Sequence, residues 1–449
     1  MDDTLLGKQP VDKLIAKFAI PSIISMLVGS VYNMLDQMFI GYGVEDIAMG
    51  ATTVAFPIMT VCMAWALLCG VGGASNFNLE SGRGEHSRAR HSAGSALFLL
   101  AAGGVLIMAA VLLFLRPILR FCGATGQLME YSVTYAGITA LGLPFLAVST
   151  GGAHLIRADK SPKFSMAMLI SGAVLNTVLD AVFIFTFGWG VAGAAWATVI
   201  GQALSAILVA IYFLKRQKMR LKRRDLLPLW RRCTRIFSLG SAASVNQLAI
   251  FAVQILMNNQ LARYGAQSAY GAEIAVTVAG VIGKAAMLYL GICIGISQGC
   301  QPIWGFNYGA GQFARVKETY RKAAVLCLGV GAACFLLFQI FPGRIITLFG
   351  MRNEAGIAFA VRYFRVFLFM TFINGLQPMS SGFFTSIGKA KLGVVTSLTR
   401  QIAFLAPLMV LLPLRWGMDG ILFAGPIADA AAAVTAIAFA VRHMKAMNS

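Results

Sequence analysis

Four carboxylates lie inside stretches otherwise suited to lipid: Asp36, Asp180, Glu273 and Asp429. A charged side chain at mid-membrane costs about 2.5–3.5 kcal/mol on insertion scales. That is a large share of a protein's net stability of roughly 5–15 kcal/mol, so each acid must be protonated, paired or in contact with water. Asp36 stands toward the outer end of its run, within "SVYNMLDQMFIGYG". Asp180 lies in "NTVLDAVFIF", one helical turn after Asn176, so the two share a helix face. Thr198 falls at mid-depth in the next run. If these faces converge, two carboxylates, an amide oxygen and a hydroxyl form the all-oxygen cluster that hard cations favour. Without a cation, adjacent carboxylates resist joint ionisation and the pair becomes a proton carrier. The cluster therefore suits Na⁺, H⁺ or each in turn; a hydrogen-bonded structural pair is the alternative.

The elements that must position these groups are membrane helices. Of 449 residues, 58% are hydrophobic and 12% charged, against about a quarter charged in soluble domains. Apolar runs of helix-spanning length predict twelve transmembrane helices: 14–41, 46–77, 93–115, 131–156, 164–187, 191–214, 236–262, 268–304, 322–341, 356–386, 393–414 and 420–441. The polar start, "MDDTLLGKQPVDK", lacks the features of a cleaved signal peptide, so the first span is expected to be retained. Net charge is +20, but most of the Lys and Arg fall in the terminal segments and even-numbered loops. This positive-inside asymmetry predicts a multi-pass protein of the cell (inner) membrane with both termini cytoplasmic. The basic cluster "KRQKMRLKRRD" (215–225) reads as an orientation signal touching anionic lipid rather than a nucleic-acid site.

Several chemistries find no support. The eight cysteines are scattered, and the four histidines show no metal spacing. The "GVGGAS" run follows no strand and has no nucleotide-loop lysine. No nucleophile–base pair is apparent, so the chain reads as a non-enzyme without a resident cofactor, driven by an ion gradient or by its substrate's own.

The chain repeats itself. "GWGVAGAAWATVIGQALSAI" lies over "RWGMDGILFAGPIADAAAAV", sharing W-G-x-x-G, and "NLESGRGEHSRA" matches "GFNYGAGQFARV" in kind. Six spans per half is an even number, so the halves share one orientation. The expected organisation is an all-α protein of two pseudo-symmetric six-helix bundles, residues 1–214 and 236–449, joined by the basic linker 215–235. Such repeats place a substrate site between the halves and let one rock against the other. Pro21, in span 1, is expected to kink or gate that helix.

"FAIPSIISMLVGSVYNMLDQMFIG", "NTVLDAVFIF", "GISQGCQPIWGFNYGAG" and "FFTSIGKAKLGVVTSLTRQIAFLAPLMVLLP" resemble segments of the multidrug and toxic compound extrusion (MATE) family, in its bacterial DinF/MepA-like branch. The resemblance covers nearly the whole chain. It implies two six-helix bundles around a V-shaped cavity and efflux of organic cations or amphipathic compounds by Na⁺- or H⁺-coupled antiport. It also implies a first-half cation site at Asp36, Asn176, Asp180 and Thr198, and a functional first-span proline at Pro21. The chain departs from members with a second-half acidic pair on spans 7 and 10, offering Gln247, Gln254, Asn258, Asn374 and Gln377 there.

Expected cavity residues are Tyr32, Asn33, Met34, Phe145, Glu273, Lys284, Met287, Tyr289, Met370, Phe372, Asn374 and Gln377. Aromatic rings favour cations and methionine adapts to varied shapes. Glu273 reads equally as a rim acid at a helix start. Lys284 either attracts anionic groups or balances Glu273. Arg400 and Asp429 pair with each other or with backbone carbonyls. The expected partners are lipid and small organic, cationic or amphipathic substrates, with no nucleic acid and a monomeric chain. The alternatives are a lipid-linked saccharide flippase, which needs several cavity Arg or Lys for phosphates, and a non-transporting receptor or scaffold.

Overall fold

The computed structural model describes residues 4–43, 46–215, 221, 223–268, 271–348 and 354–447, and among them there is no β-strand. The first half comprises α1 (Thr4–Lys8), α2 (Val11–Gly43), α3 (Asp46–Gly82), α4 (His86–Leu113), α5 (Leu115–Phe121), α6 (Gly126–Ala158), α7 (Pro162–Ala181) and α8 (Gly190–Lys215). The second comprises α9 (Trp230–Gly265), α10 (Ala272–Gly309), α11 (Phe313–Ile340), α12 (Pro342–Leu348), α13 (Glu354–Phe367), α14 (Thr371–Asn374), α15 (Leu376–Ser386), α16 (Ala390–Leu398) and α17 (Ala406–Ala446). A π-helical segment, Val182–Thr186, extends α7, and another, Thr399–Leu405, joins α16 to α17. Apolar runs in lipid become helices because the helix alone satisfies every backbone hydrogen bond within one segment.

Ten continuous helical stretches are long and apolar enough to cross a membrane. An eleventh span is broken: Gly356–Phe367 and Thr371–Ser386 meet at a 48° bend. The longest stretch, Ala390–Ala446, holds 57 residues, far more than the roughly 20 a bilayer needs. It breaks at Gly417, whose φ of 54° and ψ of −132° are not helical, and is therefore two spans. The described residues thus give twelve crossings. Two expectations change: 356–386 is not one straight helix, and the loop foreseen between 414 and 420 is a single-glycine break. Gly417 belongs to the repeated W-G-x-x-G, and its counterpart Gly190 shows the same φ of 54°. Trp189 and Trp416 before them are both half exposed, so the repeat holds in backbone conformation as well as in sequence. A φ in this region favours glycine because a Cβ would clash with the following carbonyl.

Two apolar cores follow. One draws on α3 to α8, with Ile40 of α2 and Ile236 of α9; the other draws on α9 to α17, and it also takes in Leu6, Val11, Leu14, Ile15, Phe18 and Ala19 from the start of the chain. The first residues therefore pack with the second core. Arg315 Nη2 donates to the carbonyls of Leu6 (3.1 Å) and Gln9 (2.6 Å), Asn307 Nδ2 donates to Leu6 O (3.2 Å), and Lys322 pairs with Asp12 (2.7 Å). The mirror arrangement holds the segment before α9. Its short 3₁₀ turn, Arg223–Leu226, lies on α4, with His91 Nδ1 3.1 Å from Asp225 Oδ1 and Ser95 Oγ donating to Leu227 O (3.4 Å). Each half is thus held by the segment that leads into the other. Positions 216–220 and 222 of the basic linker lie outside the described residues.

Glycines show where the halves touch. A Cβ on Gly299 of α10 would stand 2.5 Å from Ala19 Cα, and one on Gly295 2.7 Å from Ile23 Cα. On Gly291 it would be 3.7 Å from Met26 Cβ, and at Gly280 nothing lies within 4 Å. Across the other seam, Gly72 abuts the backbone of Ile236, Gly240 abuts that of Leu68, and the Phe56 and Phe251 rings meet at 6.0 Å. The halves are therefore closed at the end that carries the termini and part toward the opposite end.

Candidate coupling site and interlobe cleft

Helix α2 packs against α10 of the second half and α7 of its own. Ala19 and Ile23 face α10, while Asp36, farther along, is turned to Asp180 on α7. Gly201 on α8 brings the neighbouring wall in: a Cβ there would meet Gly172 O at 2.7 Å and Asn176 Cβ at 2.9 Å. That close approach lets Asn176 Nδ2 donate to Thr198 Oγ1 at 3.3 Å. Asp180, Asn176 and Thr198 are buried and Asp36 is half-buried. The π-helical turn begins two residues after Asp180; such turns widen a helix and recur at functional sites.

The site is rich in acceptors. Asp36 Oδ1, Asn176 Oδ1 and both carboxylate oxygens of Asp180 are buried without a hydrogen-bond partner. Leaving such groups unsatisfied is costly and uncommon in native proteins. Two facing carboxylates have no proton to offer one another unless one of them binds it. Oxygen donors of this number and kind fit a hard monovalent cation or a shared proton.

The structure brings together the four residues singled out in the sequence, and adds two. Tyr32 stands in electrostatic range of Asp36 and Asp180 with its hydroxyl beside that of Thr198, and Tyr135 on α6 is in electrostatic range of both acids. Tyr32 was expected on the cavity wall; instead it joins the acid cluster. Its place one turn before Asp36 was a legible signal. Nothing in the sequence pointed to Tyr135, because only packing brings α6 to this site.

The other cavity candidates divide. Asn33, Lys284 and Met287 are exposed, Met34 is half-buried, and all four lie where α2 and α10 separate. Phe145 is 37% exposed. Glu273 falls in the first turn of α10, and its side chain lies outside the described residues. Tyr289 is buried, and its hydroxyl donates to Thr371 O (2.6 Å) and accepts from Gly375 N–H (2.8 Å). It bridges the broken span from inside the bundle rather than lining the cleft. Gln377 is buried too, donating to the carbonyls of Thr396 (2.6 Å) and Ser397 (3.2 Å), and Asn374 is buried nearby on the broken span. Phe372 packs on Phe335 of α11 with ring centroids 5.5 Å apart, and Met370 is the half-buried residue at the break. All five thus belong to the second bundle: Met370, Phe372, Asn374 and Gln377 on the broken span, and Tyr289 on α10 where it meets that span.

Pro21 is buried between the two α2 positions that touch α10, and α2 continues through it as one helix. Arg400 Nε donates to Asp429 Oδ1 at 2.6 Å, with Asp429 only 2% exposed, so of the two partnerships foreseen the side-chain pair is the one formed.

Similarity to known proteins follows the same outline. The MatE family model matches residues 21–182 and 239–411, one segment in each half. The chain is 23% identical over 438 residues to the "Multidrug export protein MepA" of Staphylococcus aureus (strain N315), covering 96% of this chain and 93% of that protein. It is 24% identical over 426 residues to the protein of the same name from Staphylococcus haemolyticus (strain JCSC1435), covering 95% and 92%. Among solved structures, one described as the "outward-facing conformation of a multidrug resistance MATE family transporter" superposes with a TM-score of 0.93 at 22% identity, covering 100% of this chain and 99% of that one.

Proposed function

The chain belongs to the MatE family of membrane transporters, and on that premise we propose that it is a secondary-active exporter of amphipathic small compounds, working by antiport against Na⁺ or H⁺. The observation that carries the coupling is the facing pair Asp36 and Asp180, whose buried oxygens have no donor among their neighbours. Asp36 rides on the helix that also forms the seam with the second half. A cation or proton between the two acids relieves their repulsion and draws α2 toward α7. Losing it releases α2, and the same helix carries that change to Ala19 and Ile23 at the seam, with Pro21 between them as the point of bending.

With cytoplasmic termini, the closed end faces the cytoplasm and the cleft opens outward, the state that loads the coupling ion and releases substrate. The flippase alternative needs several cationic side chains for phosphate; Arg400 is committed to Asp429, which counts against it. The test is export from proteoliposomes in which Na⁺ and pH gradients are imposed independently. Export driven by one gradient and abolished by its collapse is the expected result. Flux indifferent to both gradients, or unchanged in Asp36→Asn, excludes the coupling.

A further inference from the structure

Positions 280, 284 and 291 of α10 recur on one helical face, the face that Gly291 turns toward Met26 and Ser30 of α2. Below, at Gly295 and Gly299, this face is pressed against α2; above, at Gly280, it meets nothing. Lys284 therefore stands where the seam opens into the cleft, and it is exposed there. Among the described residues it forms no ion pair, and Glu273 is three turns away along the same helix, about 16 Å. That separation is too long for the two side chains to pair along α10.

The described side chains that face it are neutral. Met287, 51% exposed, lies beside it on α10. Asn33 and Gln37 are exposed on the opposing stretch of α2. On α9, Gln254 and Asn258 are exposed and hydrogen-bonded to each other (3.1 Å) above the Phe56–Phe251 contact. Asp36 is the nearest described acid on α2, and it is turned away toward Asp180. Among the described residues of these facing stripes, Lys284 carries the only formal charge. An ammonium on a long stem, with amide donors opposite and an apolar floor beneath, is a receptor for an anionic group on an amphipathic body.

We propose that Lys284 selects substrates carrying an acidic group, a carboxylate or sulfonate attached to an apolar or aromatic frame, so that the cleft favours amphipathic anions and zwitterions over simple organic cations. This rests on the exporter reading above. It concerns which compounds enter the cleft, whereas Asp36 and Asp180 concern what drives them.

Two xanthene dyes of similar shape and opposite charge provide the test: fluorescein and tetramethylrhodamine methyl ester. Binding to the purified full chain is read by fluorescence polarisation and export by proteoliposome flux, for the natural protein, Lys284→Gln and Lys284→Arg. The expected result is that the natural protein binds and exports fluorescein. Lys284→Gln then weakens fluorescein binding by about tenfold, the loss of one partly solvated charge pair, and strengthens binding of the rhodamine. Lys284→Arg retains fluorescein binding. Fluorescein binding unchanged in Lys284→Gln overturns the inference. So does export of the rhodamine alone, which leaves the exporter reading standing. Failure of both dyes to bind counts against both readings.

Discussion

Asp36 on the first span and Asp180 on the fifth point their carboxylates at each other, and neither oxygen of Asp180 has a hydrogen-bond donor. The arrangement is unsatisfied as it stands and satisfied by one small cation or one proton. Asp36→Asn and Asp180→Asn each supply a donor and remove a charge. Gradient-driven export is expected to fall by about tenfold or more, about 1.4 kcal/mol of lost coupling, while the folded protein remains as abundant in the membrane. Export at natural rates in both variants would separate the pair from the transport cycle.

The Arg400–Asp429 pair behaves differently, because it is already complete. Arg400→Ala leaves Asp429, 2% exposed, as an unpaired buried charge, and is expected to destabilise the protein by about 3–5 kcal/mol. Replacing both, Arg400→Met with Asp429→Leu, should recover most of that loss. Thermal unfolding in detergent measures both variants, and a double variant no more stable than Arg400→Ala would assign the pair a role beyond packing.

Arg315 ties the start of the chain to the second bundle through Leu6 and Gln9. Hydrogen bonds from a charged donor are worth about 1.5–3 kcal/mol each. Arg315→Ala is expected to free the first helix and favour opening at the terminal end. A cysteine placed at Ala19, at the glycine-lined seam, should then react with a maleimide several times faster. Equal labelling with and without Arg315 would show that the seam holds by itself.

Cys122 offers a test of orientation. It lies between α5 and α6, at the end away from the termini, while Cys62, Cys69, Cys233, Cys293, Cys300 and Cys327 are buried. A membrane-impermeant maleimide added to intact cells should label Cys122 if the termini are cytoplasmic. Burial holds this thiol above its ordinary range, so less thiolate is present at neutral pH, and the rate should rise steeply from pH 7 to pH 9. Labelling only after the membrane is opened would invert the assigned topology.

How much of this was legible without coordinates differs from element to element. Span count, helical class and duplication could be read directly, because lipid leaves a polar backbone few choices and the W-G-x-x-G repeat marks matching positions in each half. Asp36 and Asp180 announced themselves by the cost of a charge in an apolar run. Asn176 was tied to Asp180 by helical spacing, and Thr198 was placed with them by its mid-depth position in the next span, a grouping the family resemblance also implies. What the sequence alone could not decide was direction. Tyr289, Asn374 and Gln377 looked like cavity polar groups, but all three are buried in the second bundle, where Gln377 bonds to backbone carbonyls and Tyr289 of α10 bonds to the backbone beside the bend near Met370. Tyr135 came to the acids only through packing of a fourth helix. Lys284 was visible as a charge, yet whether it met lipid, Glu273 or the cleft depended on where α10 parts from α2. Local sequence sets what each helix is and what a buried charge costs; which face meets which neighbour is a property of the whole packed set of helices, and only the tertiary structure decides it.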